Sequence, residues 1–228
     1  MESENIRPIL IIEQITARLK DDIVMARIEP GSALRETELQ KRFNVSRSPI
    51  REALREHERQ GFVQIFSRKG AFVRVLTLRE IKNIYDVRAV LEGLAAEKTF
   101  QRDKTAVRQL KTCLYDMAQA YQAKDRETYL KAHDAFHKVW INGCGNAFLT
   151  EEAMRLKGLS TWFSVYSQFD ELAFENAIKV HEKIVDVFSS DKATPEQVNE
   201  CVRNNILEGA DRIRAKIAQS QGIETNEA

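Results

Sequence analysis

Apolar residues near the start of the chain recur at the spacing of helices. Residues 9 to 26 place apolar side chains three or four positions apart, which predicts an amphipathic helix. These side chains are Ile9, Ile12, Ile15, Leu19 and Ile23. A shorter repeat of Leu34, Leu39 and Phe43 predicts a second helix after the turn Glu29-Pro30-Gly31.

The next segment predicts a third helix with a well-marked start and end. Ser46 or Ser48 can cap its first turn with a hydroxyl that accepts a hydrogen bond from a free backbone N–H. Pro49 falls in that first turn, where its missing N–H costs little. Gly61 ends the helix.

This third helix has two distinct faces. At about 100° per residue, Arg47, Arg51 and Arg55 line up on one face. A separate stripe is suited to packing and consists of Ile50, Ala53, Leu54 and His57. One face therefore docks on the rest of the domain, and the other presents guanidinium groups.

Two runs after this helix alternate apolar and polar residues, as strands do. The runs are Val63 to Phe66 and Ala71 to Val75, and they flank the basic segment Ser67-Arg68-Lys69-Gly70. Three helices followed by a hairpin with a basic tip make a winged helix-turn-helix.

Arginine at the start of a helix suits both tasks of DNA recognition. Its fork matches guanine O6 and N7, and its charge attracts phosphate oxygens, which the helix N-terminus also favours. The alternative is a solvated basic face on an ordinary surface helix, which is the commoner meaning of an arginine stripe alone. The surrounding helices and hairpin favour the DNA-binding interpretation.

Beyond residue 76 the pattern is helical and contains no strand-like alternation. The segment Thr77-Leu78-Arg79-Glu80 is a capping box that begins the first of these helices. Later helices are expected over about 107–121, 126–142, 147–168, 172–189 and 194–219. The sequence therefore predicts a mainly α protein with a winged domain over residues 1–76 and an all-α bundle of six or seven helices over residues 77–228.

The basic residues are concentrated in the winged domain. The formal net charge of the chain is only +1. Between Arg35 and Arg74, however, ten Lys and Arg residues stand against five Asp and Glu residues. This local excess lies on the elements that would read a DNA groove, so it supports a nucleic-acid partner.

The cysteines and the N-terminus point to the cytoplasm. The three cysteines, Cys113, Cys144 and Cys201, are far apart, which favours reduced thiols over disulfides or a thiolate zinc site. Acidic Glu2 and Glu4 and the short apolar run after them do not fit a signal peptide. No apolar run approaches the length needed to span a membrane, so no membrane partner is expected.

Three of the four histidines form a second candidate site. His133 and His137 are four residues apart on one helix face, and His181 lies on a later helix. With a further ligand from a facing helix, such a set suits a divalent ion such as zinc or nickel. On spacing alone, a surface pair or hydrogen-bonded core histidines remain the commoner meaning.

The first 75 residues resemble the DNA-binding domain of GntR-family bacterial transcription regulators. The resemblance spans roughly residues 9 to 75 and rests on Ile28-Glu29-Pro30-Gly31, Leu34-Arg35-Glu36-Thr37-Glu38-Leu39, Val45-Ser46-Arg47-Ser48-Pro49-Ile50-Arg51-Glu52-Ala53-Leu54, Gly61-Phe62-Val63 and Arg68-Lys69-Gly70. It implies DNA contacts from Arg35, Thr37, Ser46, Arg47, Ser48, Arg51, Arg55, Arg68, Lys69 and Gly70. His57 departs from the pattern, which has leucine there, and a packed, hydrogen-bonded core histidine is favoured over a DNA contact.

The second domain is similar to the FCD effector domain of the FadR subfamily. The similarity rests on His133-Asp134-Ala135-Phe136-His137, Gly143-Cys144-Gly145-Asn146, His181-Glu182-Lys183-Ile184 and Asn205-Ile206. It implies four metal ligands, an aspartate and a histidine on one helix and a histidine on each of two later helices. His137 and His181 match that set, whereas His133 stands in place of the aspartate and Asn205 in place of the last histidine.

Two further residues are candidates for binding an effector. Arg88 either pairs with Glu92 one helical turn away or clamps an effector carboxylate. Asn146 most simply caps the following helix, with an effector contact as the alternative.

The expected function is that of a transcription regulator that acts as a repressor, and no enzymatic activity is expected. It would bind a palindromic operator as a homodimer and respond to a small organic acid held in the bundle, with a divalent ion taking part. Two other interpretations remain open: a sensor whose effector is the metal ion itself, and a helical-bundle metalloenzyme with a nucleic-acid-binding module. The chain has one Asp-x-x-His and none of the paired Glu-x-x-His motifs of di-iron bundles, which disfavours the enzyme.

Overall fold

The chain folds into two compact units, and the boundary between them in the sequence falls between Leu76 and Thr77. The computed structural model describes residues 8–166 and 171–221. The described part of the first unit contains α1 (Pro8–Val24), β1 (Ala33–Leu34), α2 (Glu36–Phe43), α3 (Arg47–Gln60), β2 (Val63–Phe66) and β3 (Gly70–Val73). Three helices and a hairpin confirm the predicted winged helix-turn-helix.

The strands form one antiparallel sheet in the order β1-β3-β2. Val63 stands opposite Val73 across the predicted hairpin, and Ala33 stands opposite Phe72. Strand β1 corrects the sequence analysis, which assigned Leu34 to the second helix. Leu34 is buried in β1, and α2 begins only at Glu36, because pairing with a strand about forty residues away overrides the local spacing.

The start of α3 also differs in one detail. Ser46 occupies the N-cap position with an extended backbone, yet its side chain makes no capping hydrogen bond. An N-cap hydroxyl normally accepts from the N–H of the second or third helical residue, and the third is Pro49, which has no N–H. Gly61 ends the helix with a φ of 89°, as predicted.

The core face of α3 is the predicted stripe, whose members are Ile50, Ala53, Leu54 and His57. His57 is fully buried and packs edge-on against Phe62. Among the described residues, neither of its ring nitrogens has a well-formed hydrogen-bond partner. The predicted place of His57 in the core is confirmed, and of the predicted hydrogen bonding only an interaction with the backbone of Thr16, outside standard geometry, is present.

The second unit is all-helical over its described residues. Its helices are α4 (Leu78–Arg102), α5 (Ala106–Gln122), α6 (Arg126–Gly143), α7 (Ala147–Tyr166), α8 (Glu171–Ser189) and α9 (Pro195–Gln221). Six helices agree with the predicted bundle, and positions 167 and 168 of the expected fourth helix lie outside the described residues. None of the described helices combines the length and apolarity needed to cross a membrane.

Local signals in the sequence fix the ends of two bundle helices. The predicted capping box is present at α4, where Thr77 Oγ1 accepts from Glu80 N and Glu80 Oε2 accepts from Thr77 N. At α9, Thr194 and Gln197 exchange equivalent hydrogen bonds.

Helix α4 packs along α9, and a glycine sets how closely the two approach. A Cβ on Gly93 would lie 2.4 Å from Cγ of Arg203 and 2.6 Å from Oδ1 of Asn199. Asn199 also donates to Glu97 of α4 over 2.7 Å. The contact between the first and last helices of the bundle therefore depends on the missing side chain at position 93.

Candidate functional sites

The exposed face of α3 carries the arginines selected from the sequence. The side chains of Arg47, Arg51 and Arg55 are between 55% and 69% exposed. All ten residues proposed to contact DNA are exposed and lie in α2, in α3, at the N-cap of one of these helices or on the hairpin. The packed stripe on the opposite side of α3 leaves this arginine face available to a groove.

Arg35, which precedes α2, and the three arginines on the exposed face of α3 each have an acidic neighbour. Arg35 pairs with Glu38 over 3.0 Å, and Arg55 pairs with Glu52 over 3.3 Å, each within or beside its own helix. Arg47 and Arg51 instead share one carboxylate of α2. The Nε of Arg47 donates to Oε2 of Glu36, and the Nε of Arg51 donates to Oε1 over 3.1 Å.

The wing is tied to α3 by a hydrogen bond from Ile65 N to Glu58 Oε1, 3.0 Å long. Its tip carries Arg68 and Lys69 between β2 and β3, both exposed. Arg68 and Gly70 have φ values of 64° and 93°, the left-handed conformation of a tight turn. The hairpin therefore holds two cations beside a helix that presents others.

The second unit encloses a cavity of about 80 Å³. It is bounded by residues of α4, α6, α7, α8 and α9. Its polar lining includes His133, His137, His181, Asn205, Arg88 and Arg212. Histidines that are up to 48 residues apart in the sequence therefore meet at one place, where their candidate ligand atoms all lie within 4.8 Å of one another.

The orientation of His137 is set by a buried carboxylate. Glu92 Oε2 lies 2.9 Å from Nδ1 of His137 and also accepts from Nε1 of Trp140, while Oε1 accepts from Nε of Arg88 over 2.5 Å. A carboxylate that already accepts from an arginine is ionised and can only accept, so Nδ1 of His137 carries the proton. Nη2 of Arg88, 3.3 Å from Nδ1, is a donor and cannot accept the hydrogen bond from Nδ1–H.

His181 is oriented in the same way by the backbone. Its Nδ1 lies 2.5 Å from the carbonyl oxygen of Ala177, one turn earlier on α8, and a carbonyl can only accept. Both rings thus keep a lone pair on Nε2, and these two atoms lie 3.3 Å apart. Two nitrogens held at 2.0–2.1 Å by one tetrahedral ion are separated by roughly 3.3–3.4 Å, so the pair fits such an ion.

The three imidazoles are kept neutral by their surroundings. Burial lowers the pKa of His133 and of His137 well below its usual range, and the neighbouring histidines and Arg88 add to the effect. Burial also lowers the pKa of His181 to about 4, against a smaller opposing effect of the Ala177 carbonyl. Neutral imidazole is the form that binds a metal ion.

Asp134, next to His133 in sequence, serves a different purpose. It pairs with Lys157 and with Lys138, each over 2.5 Å, and Lys157 is itself buried. Burial alone would raise the pKa of Asp134, but the two lysines outweigh it and lower the pKa. The carboxylate is therefore committed to the α6–α7 contact.

Family models match both units. The model described as "Bacterial regulatory proteins, gntR family" covers residues 11–73, and the FCD domain model covers residues 83–207. The chain belongs to the GntR family. A GntR domain followed by an FCD domain is the arrangement of its FadR-like subfamily, and this GntR-family protein is a DNA-binding transcription regulator.

Named relatives share much of this length. The "HTH-type transcriptional repressor RspR" of Escherichia coli strain K12 is 30% identical over 146 residues, which is 63% of this chain and 64% of that protein. The "Gluconate operon transcriptional repressor" of Bacillus licheniformis is 30% identical over 175 residues, 74% of this chain and 72% of that protein. The structure of E. coli McbR/YncC shares the fold with a TM-score of 0.78 at 16% identity, covering 91% and 98% of the two chains.

Most of the predicted effector-domain residues of this GntR-family protein lie together. Arg88 and Asn205 line the same cavity as the histidines, and Arg88 also forms the predicted ion pair with Glu92. Asn146 does not line it. Its Oδ1 accepts from Leu149 N over 3.2 Å at the start of α7, so the capping interpretation replaces the effector contact.

Three residues of the cavity region were missed by the sequence analysis. Glu92 was considered only as a partner of Arg88, since its contact with His137 joins residues 45 positions apart. Tyr85 and Arg212 line the cavity without any motif to mark them. Arg212 had one signal, because it lies seven residues after Asn205 and thus on the same face of α9.

Proposed function

We propose that this regulator is a repressor that binds a palindromic operator as a homodimer. We further propose that a small carboxylate binding in the cavity of the FCD domain controls its affinity for DNA. The relatives that are named repressors support the repressor role. The chemistry of the cavity supports the second.

The DNA-binding half of the proposal rests on α3 and the wing. Arg47 and Arg51 would read base edges or anchor adjacent phosphates, and Arg68 and Lys69 would hold the flanking backbone. One winged domain reads a short half-site, so two copies related by a two-fold axis provide the affinity and the palindrome.

An apolar stripe on α4 supports the dimer. Val87, Val90 and Leu94 are between 36% and 53% exposed and are spaced to lie on one face of the helix. Exposed large apolar side chains in a row favour an interface, and the same stripe from a second copy is the complement that a two-fold axis supplies. We assign this stripe to the contact between protomers.

A divalent ion completes the proposed effector site. The observation that carries this is the pair of Nε2 atoms 3.3 Å apart, with His133 beside them and both Nδ1 atoms in contact with acceptor oxygens. His133, His137 and His181 would hold the ion, with Asn205 or water as a further ligand. Zinc or nickel suits such nitrogen ligands, and an ion with an open position supplies a Lewis acid that accepts a carboxylate oxygen.

The rest of the cavity limits the size and charge of the effector. One water takes about 10–15 Å³ of such a volume, so 80 Å³ has room for on the order of six waters or one small organic acid. Arg212 lines the cavity with its side chain 39% exposed and is suited to a second anionic group. Because Arg88 is already paired with Glu92, we assign it first to positioning and second to the effector.

The test is a titration of DNA binding by metal and by organic acids. The chain is stripped with chelator, reloaded with Zn²⁺ or Ni²⁺, and assayed on a selected duplex with a panel of small mono- and dicarboxylates. We expect one class of acid to change the affinity for DNA only when the ion is present. His181→Ala should lose the ion and the response but keep DNA binding.

Two outcomes would redirect the proposal. If the ion alone changes the affinity for DNA and no acid adds to it, the protein is a metal sensor. If elemental analysis finds less than about a tenth of an ion per chain after reloading, the histidines form a purely organic pocket and the metal site is rejected.

A further inference from the structure

One carboxylate of α2 holds two of the arginines on α3. Glu36 is the first residue of α2, and its two oxygens accept separately from Nε of Arg47 and Nε of Arg51, the second over 3.1 Å. The two arginines are one helical turn apart, so their side chains lie side by side above the same acid. Glu36 therefore joins the helices that precede and follow the turn of the helix-turn-helix.

This contact differs from the other ion pairs on the same face. Arg35–Glu38 and Arg55–Glu52 are spaced by three residues, and their carboxylates are 63% and 49% exposed. Such pairs move freely and contribute little. The Glu36 side chain is only 25% exposed and bridges two elements. Hydrogen bonding by Arg47 lowers the pKa of Glu36, so its carboxylate stays ionised at neutral pH.

The hydrogen bonds to Glu36 determine which N–H groups of the two arginines remain free to bind DNA. An arginine presents five N–H groups, and a side-on fork to guanine uses Nε together with one Nη nitrogen. With both Nε atoms bound to Glu36, the remaining fork is the end-on pair of Nη nitrogens. That fork reaches guanine O6 and N7 in one fixed orientation.

We propose that Glu36 is a positioning residue that sets the sequence specificity of the DNA-binding domain. It holds Arg47 and Arg51 in one orientation before DNA arrives, so only base edges that match this orientation are bound well. It also cancels one of the two positive charges, which weakens binding to any non-matching duplex. This inference rests on the base-reading role proposed above for Arg47 and Arg51.

The test compares Glu36→Gln with Glu38→Gln. Both variants remove one negative charge from α2, and only the first removes the bridge to α3. The wild type first selects its preferred duplex from a pool with a randomised central segment. Affinities for that duplex and for a shuffled duplex of equal composition are then measured over a range of salt concentrations.

The expected results separate charge from positioning. Both variants should bind the shuffled duplex more tightly, and the slope of log K against log salt should become steeper by about 0.9 for each charge gained. Only Glu36→Gln should lose discrimination between the two duplexes, by about tenfold or more, since each bidentate contact contributes that much. In an Arg47→Ala, Arg51→Ala background, Glu36→Gln should change the discrimination no further.

The contrary results are equally specific. If Glu36→Gln keeps the wild-type discrimination within twofold while folded by circular dichroism, Glu36 has no positioning role. Should that variant unfold, Glu36→Asp preserves the charge but shortens the reach, and it should lose discrimination with an unchanged salt slope. If the wild type itself enriches no sequence from the pool, base reading by the arginines fails, which is a failure of the proposed function rather than of this inference alone.

Discussion

Nε2 of His137 and Nε2 of His181 face each other at 3.3 Å. Glu92 and the Ala177 carbonyl each accept a hydrogen bond from an Nδ1–H, which leaves a lone pair on each Nε2. Two facing lone pairs repel unless a proton or a cation lies between them. A buried pair held in this way is therefore better suited to an ion than to the interior of an ordinary helical bundle.

Replacing Glu92 with glutamine should weaken the metal site without removing a ligand. The amide keeps the shape of the side chain but no longer holds His137 with an ionised acceptor. We expect the affinity for Zn²⁺ to fall by about 10- to 100-fold, as for other partners of metal-binding histidines. Competition against a chromophoric chelator measures the affinity.

The matched control for this variant is Glu97→Gln. Glu97 lies on the same helix and pairs with Asn199 instead of with a histidine. The absorption spectrum of the Co²⁺-loaded protein adds a readout of ligand geometry that a general loss of stability would not change. Equal Zn²⁺ affinities and equal Co²⁺ spectra for the wild type and Glu92→Gln would show that Glu92 does not position His137.

The arginine helix and the wing should respond differently to truncation. Arg51→Ala is expected to cost on the order of 1 to 3 kcal/mol on the selected duplex and to relax the preference at one base position. Lys69→Ala should instead weaken binding to all sequences alike and flatten the salt dependence. Quantitative binding assays at several salt concentrations distinguish the two, and unchanged affinity in both variants would remove α3 and the wing from the interface.

The buried histidine of the winged domain makes that domain sensitive to pH. Burial lowers the pKa of His57 to about 4, with Lys20 of α1 lowering it further and Glu56 of α3 opposing the shift. The unfolded chain has the ordinary value near 6.5, so it binds the proton first. Stability is therefore complete above about pH 6.5 and should fall by about 2 kcal/mol between pH 7 and pH 5.

His57→Leu should remove this pH dependence and stabilise the domain at neutral pH. Leucine has no polar atoms to leave unpaired in the core, and the expected gain is about 1 kcal/mol at pH 7. Hydrogen exchange of the α1 and α3 amides in the full chain reports the local unfolding free energy. A variant that stays as pH-dependent as the wild type would assign the effect to other groups.

A charge in the α4 stripe should separate the protomers. Val90 is 52% exposed, so Val90→Glu should leave the bundle folded while placing two like charges near the two-fold axis. We expect the variant to be monomeric at micromolar concentration by analytical ultracentrifugation and to bind the palindromic duplex far more weakly. Tyr115→Glu is the control, since Tyr115 is 63% exposed on α5 and outside the stripe.

Helices were predictable here because their signals are local. The capping box at Thr77 and the glycine stop at Gly61 each lie within a few residues of the helix end that they fix. Strand β1 was not predictable, because two residues become a strand only by pairing with β3. The missing cap at Ser46 was in principle readable, since Pro49 stands where the N–H donor is needed.

At the histidine site, too, local features were predictable from the sequence and contacts between distant residues were not. The spacing of His133 and His137 placed them on one helix face, while the meeting with His181 came from the family resemblance and not from the spacing. The role of Glu92 at this site was not predictable, because its hydrogen bonds to His137 and Trp140 join residues that are 45 and 48 positions apart. For Asn146 the sequence left an effector contact open beside the capping role, because both are consistent with an asparagine at the start of a helix.

A divalent ion bound by the histidine cluster would also link folding to metal supply. Its members come from α6 and α8 and are buttressed from α4, so an ion bound there would favour only the folded bundle. Each tenfold rise of free ion above its dissociation constant then adds about 1.4 kcal/mol to the free energy of unfolding. Cells starved of the ion would degrade the less stable chains faster, and the amount of regulator would fall together with its response.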